Sequence, residues 1–159
     1  MRKILKFAHT LGAVGLLGAM AALLVAQVEL RTIASTADVH SIVILMDHVA
    51  RWILLPSLGV TLVSGLLGMA VVPAYHGAGW VWAKLATGVL TFEGGLMAIQ
   101  GPVQKLAEEA AASAAAGVVV TVAPAQIDAL QGSLGTLMAV AIVNIALGIW
   151  RPRKRNSAT

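Results

Sequence analysis

The chain contains no cysteine, which excludes disulfides, thiolate metal centres and iron–sulfur clusters. Charge is scarce as well. Asp, Glu, Lys and Arg make up 11% of its 159 residues, against about 25% in an ordinary soluble domain. Hydrophobic residues account for 58%. A chain of this length and composition reads as one domain built for lipid. Its net charge of +4 would admit nucleic acid as a partner. The basic residues, however, gather at the chain ends beside apolar runs, which is the pattern of membrane topology; the partner expected is the bilayer, with no nucleic acid. No internal repeat is evident.

A membrane-spanning helix needs about 20 mostly apolar residues. Four stretches qualify, over residues 7–27, 52–71, 85–103 and 129–149, and predict an all-α, four-transmembrane-helix bundle. The first begins after basic residues, but its apolar region is longer than the roughly 7–15 residues of a secretory signal, so it is expected to stay as a span. With the N-terminus inside, Arg2, Lys3, Lys6, Lys84, Arg151, Arg153, Lys154 and Arg155 lie on the cytoplasmic side and Arg31, Arg51 and Lys105 on the other. That bias predicts two cytoplasmic termini. Aromatic anchors agree, with Tyr75, Trp80, Trp82 and Trp150 at the inner interface and Trp52 at the outer one. Residues 29–40 read as an outer loop and residues 72–80 as a tight inner turn. The Ala-rich KLAEEAAASAAAG run has no helix breaker, so the third helix should extend beyond the outer face to about Ala116. Gly117 should end it, VVVTV should be extended, and Pro124 should sit in the first turn of the last helix.

In ILMDHVARWILLP three polar residues interrupt an oily run. The second helix is expected to start near Ser41, which puts Asp47, His48 and Arg51 in the outer headgroup zone. Asp47 and Arg51 are four apart and can pair on one helix face. His48 stands four before Trp52. The cluster reads as the membrane boundary, with a functional polar face as the alternative.

Glu93 sits near the middle of the third apolar run. A charged side chain at the bilayer centre costs at least ~2.5–3.5 kcal/mol, so Glu93 should face the bundle interior, carry a proton, or have a partner. No Lys or Arg stands at its depth. Thr61 and Ser64 on the second helix, and Ser133 and Thr136 on the fourth, are the polar groups expected beside it. It reads either as glue between helices or as a proton or ligand site. Glycines at spacings of three and four (Gly12, Gly15 and Gly18; Gly65 and Gly68; Gly132 and Gly135) should let helices approach closely. His9 lies just inside the first span and is a functional candidate, as an intramembrane His is by default; a metal site with Glu93 fails on depth. A bis-imidazole haem site would have to join His9 to His76, because His40 and His48 are at the other end.

The segments KFAHTLGAVGLLG, GWVWAKLATGVL, AIQGPVQKLAEE and NIALGIWRPRK, taken together, resemble a bacterial predicted integral membrane protein family, domain of unknown function 2269. The resemblance implies a four-helix inner-membrane protein with no assigned activity. More distantly, His9 and the pattern Gly79-Trp80-x-x-x-Lys84-Leu85 are similar to the haem-associated protoporphyrinogen oxidase family, whose layout copper-resistance membrane proteins share. That likeness implies haem or porphyrin binding at His9 and Lys84, with His9 on the iron. The chain departs from it where LGAVGLLGAM replaces an aromatic- and arginine-containing segment, and where Glu93 stands in the region of a second helix-borne His. Three function classes follow: an accessory or structural component of a membrane assembly, in contact with other subunits or with itself; a haem-associated redox protein using His9; and a proton or small-solute pathway through Glu93.

Overall fold

A computed structural model describes residues 2–33, 35–73, 79–119 and 121–149 of the chain. Tyr75, His76, Trp150 and the basic residues from Arg151 onward lie outside the described residues, as does any role assigned to them above. The described chain is all-helical, with four helices around one apolar core and no strand among the described residues.

Helix α1 is Arg2–Leu30. Helix α2 covers residues 36–71 and consists of α-helical Thr36–Val49, a π-helical turn Ala50–Leu54, and α-helical Leu55–Val71. Helix α3 covers residues 79–115 in the same way: Gly79–Gly94, a π-helical segment Gly95–Gln100, then Gly101–Ala115. Helix α4 is Pro124–Ile149. Each π segment lies just before a proline, Pro56 and Pro102. A proline ring clashes with the carbonyl four residues back, and a widened turn makes room for it. The two π segments also pack against each other.

The helix ends follow local chemistry. Gly117 at φ 68° lets the α3 terminus close with Val118 N–H donating to the Ser113 carbonyl at 2.9 Å and Gly117 N–H to that of Ala114 at 3.2 Å, a Schellman motif. Pro124 opens α4, and the Gln126 side chain accepts from the Ala123 N–H at 3.1 Å, half of a capping box. The second helix begins at Thr36, earlier than Ser41. Ser35 holds extended N-cap backbone, Asp38 lies in the first turn, and Val39, Val43 and Met46 are already buried on one face. The outer loop therefore shrinks to a few residues.

Helix α1 packs on α2 and α4, and α3 also packs on α2 and α4, so α1 and α3 stand diagonally opposite. Neighbours run antiparallel, as shown by contacts between His9 and Ser64, Thr87 and Asn144, and Arg31 and Asp128. The end where α1 begins and α4 finishes is called the base here, and the opposite end the crown. Among the described residues the crown is the better packed end. Met20, Leu23, Val43, Met46, Leu54, Ile99, Val103 and Leu134 are almost fully buried, and residues 36–49 of α2 lie along residues 101–115 of α3. Three helices, α1, α2 and α4, are long and apolar enough to cross a membrane. Helix α3 is as long, but Lys84, Glu93, Gln100, Gln104 and Lys105 make it more polar.

Candidate functional site

The polar side chains fall into three groups. The first, near the base, centres on His9. Its Nδ1–H donates to the Thr61 carbonyl at 2.9 Å, with Ser64 Oγ 3.2 Å away. A Cβ placed on Gly65 would lie 3.4 Å from His9 Cε1, an ordinary contact, so the ring packs over that position of α2. Gly12 and Gly15 on α1 bring the helices this close. Cβ atoms on them would strike the Thr61 and Ser57 side chains, and at Gly12 also Thr61 N at 2.9 Å and the Ser57 carbonyl at 3.0 Å. Thr61 and Ser64 thus serve His9 rather than Glu93, because the antiparallel register sets residues 61–64 level with residues 9–12.

Across the bundle at the base, Thr87 on α3 donates to Asn144 Oδ1 on α4 at 2.8 Å. Lys84 Nζ lies 2.8 Å from where a Gly148 Cβ would be, close to the C-terminal end of α4, where a cation is favoured. His9 is held by α2, whereas Lys84 lies against α4; the two implied residues belong to different helix pairs. Sequence reasoning missed Thr87 and Asn144, although both are polar residues inside apolar runs.

The second group is at the crown. Asp47 and Arg51 pair at 3.5 Å, and His48 Nδ1–H turns back to the Ile44 carbonyl at 2.8 Å; His48 and Trp52, four residues on, are both exposed. Arg31 clamps the end of α1 to α4 through Asp128 and through Gln131 at 2.8 Å. Beneath this surface the Gln27 amide is buried and makes no hydrogen bond to the described residues. An open groove between α3 and α4 is lined by Pro102, Lys105, Leu106, Gln126 and Leu130, and Lys105 at its rim faces Glu109 at 3.9 Å.

The third group is Glu93 alone, and of its three alternatives the structure sets aside the inward-facing one. Glu93 is exposed, on the side of α3 that faces away from the core. Its successors explain the direction. A Cβ on Gly94 would meet Leu137 of α4 at 2.8 Å, and one on Gly95 would strike Leu58 of α2, so these two glycines occupy the inward side and turn the carboxyl outward. The same contacts fix its level, since Leu58 and Leu137 lie within the apolar runs of α2 and α4. The Ser133 and Thr136 hydroxyls bond to their own helix at Ala129 and Gly132. Close packing at glycine is likewise selective: Gly12, Gly15, Gly65, Gly94 and Gly95 meet neighbours, whereas Gly18, Gly68, Gly132 and Gly135 meet nothing within 4 Å.

Among the described residues no group of three His, Asp or Glu is placed to hold a metal ion. Comparison of the chain with family models, curated proteins and solved structures finds no match.

Proposed function

We propose that the chain is an integral protein of the bacterial inner membrane that crosses the bilayer four times with both termini in the cytoplasm. Its role is that of a non-catalytic accessory or structural component of a membrane assembly. Helices α1, α2 and α4 supply three spans by length and hydropathy. Packing of α3 between α2 and α4, level with their apolar runs, supports counting it as the fourth. The Lys and Arg distribution orients the base inward. Asp47, His48 and Arg51 then mark the outer boundary, and the end of α3 extends past it.

The observation that carries the assembly role is the direction of Glu93. A carboxyl midway along the bundle, turned away from its own core, lacks water in hydrocarbon and finds a hydrogen-bond partner only on another polypeptide. That direction supports a contact role over a proton path through the bundle interior. The test is the mass of the protein extracted in mild detergent. The parent should run as an assembly larger than one chain, and Glu93→Leu as a single chain. A parent that is already a single chain would contradict the role.

A second reading rests on His9. A metal-bound imidazole almost always gives its other ring N–H to a carbonyl or carboxylate, and His9 Nδ1–H does so to Thr61. Nε2 is the nitrogen that would be left to hold haem iron; Lys84 is the other residue the likeness implicates. Haem would supply one-electron chemistry, and the chain would supply an oriented ligand. Haem fed during expression should give a Soret band that His9→Ala removes and His40→Ala keeps. No band would end this reading.

A further inference from the structure

We propose that the assembly contains two copies of this chain, paired side by side across the outward face of α3, with the two Glu93 carboxyls hydrogen-bonded to each other. The inference rests on the membrane reading above. Over residues 86–97 the exposed positions of α3 are apolar except for Glu93: Ala86, Val89, Leu90, Leu96 and Met97, the last exposed to 82%. A partner must therefore present a polar group at one depth and apolar surface elsewhere.

A second copy does so by construction. Two chains inserted with the same topology carry every residue at the same depth, and a two-fold axis along the membrane normal brings a surface patch against itself. A carboxyl is self-complementary in that arrangement, since each protonated group donates its O–H to the other's carbonyl oxygen. Other hydroxyls on α4 are poorer partners. The protons of Ser133 and Thr136 are committed to the Ala129 carbonyl at 2.9 Å and the Gly132 carbonyl at 2.8 Å. Glu93 of the second copy is, among the described residues, an exposed side chain at that depth whose hydrogen-bonding capacity its own chain leaves unused.

The absence of cysteine makes the test direct, because a disulfide formed by a single introduced cysteine must join two chains. Leu90→Cys and Met97→Cys place thiols on the proposed face. Val14→Cys places one on an exposed position of α1, the helix diagonal to α3. Mild oxidation in native membranes should shift the first two to twice the chain mass and leave the third single. Adding Glu93→Leu should abolish the shift, and adding Glu93→Gln should keep it, since carboxamides pair in the same way. No shift at Leu90→Cys or Met97→Cys, an equal shift at Val14→Cys, or a shift that survives Glu93→Leu would overturn the proposal. If the parent extracts as a larger assembly without these disulfides, the pairing of copies fails while the assembly role stands. If it extracts as a single chain and forms no disulfide, both fail.

Discussion

Replacing Gly12 by Ala should loosen the contact between α1 and α2. The new Cβ would meet the Thr61 side chain and lie 2.9 Å from Thr61 N. Helix backbone cannot swing aside as a side-chain tip can. Reaching ordinary contact at 3.4 Å requires α1 and α2 to part by about 0.5 Å, which forfeits a quarter to a half of the dispersion attraction at the contacts concerned. The same movement would stretch the 2.9 Å bond from His9 to the Thr61 carbonyl to about 3.4 Å, beyond the usual 2.7–3.2 Å range. Overpacking of this kind costs about 1–3 kcal/mol, and the better helix propensity of Ala returns up to about 1 kcal/mol. With the full propensity gain the net loss should be roughly 0–2 kcal/mol. Gly18 is the control. It lies on the same helix with nothing within 4 Å, so Gly18→Ala should be neutral or stabilising by up to about 1 kcal/mol. Reversible unfolding in mixed micelles measures both variants. Equal stabilities for Gly12→Ala and Gly18→Ala would refute the α1–α2 contact.

Two further outcomes follow from individual groups. Gln27→Met should raise stability by up to roughly 1–3 kcal/mol, because a buried amide without a partner among the described residues gives way to an apolar side chain of similar length; a loss in the same unfolding assay would show that the amide is satisfied. Gly117→Ala forces a Cβ into the φ 68° conformation at a cost of roughly 1–2 kcal/mol, and should fray α3 so that limited proteolysis near Ser113 speeds up, whereas an unchanged cleavage rate would contradict the terminus described.

What could be read from the sequence was local. Gly117, Pro124 and the Asp47–Arg51 pair were legible because a helix end or a spacing of four depends on a few neighbouring residues. The partners of His9 were not legible, because they depend on the register between α1 and α2, which Gly12 and Gly15 set by meeting Ser57 and Thr61. Which of its three alternatives Glu93 takes was not legible for a similar reason: a polar residue in an apolar run admits an inward position, yet Gly94 and Gly95 take that side because Leu137 and Leu58 fill it. The π segments had a visible signal in Pro56 and Pro102, both inside otherwise helical runs. The early start of α2 also had one, in Ser35 and Asp38 ahead of the Val39, Val43 and Met46 stripe.

The claim on which the rest depends is that α3 crosses the bilayer with the Glu93 face near its centre. A nitroxide attached through Met97→Cys, one turn from Glu93, reports depth directly when the protein is in lipid vesicles. Dimer contact or lipid contact alike should shield this label from a water-soluble nickel relaxant, while a label at Ser113→Cys beyond the outer face is relaxed freely. A label at Met97→Cys relaxed by nickel as strongly as the one at Ser113→Cys would place α3 in water and contradict the four-span assignment.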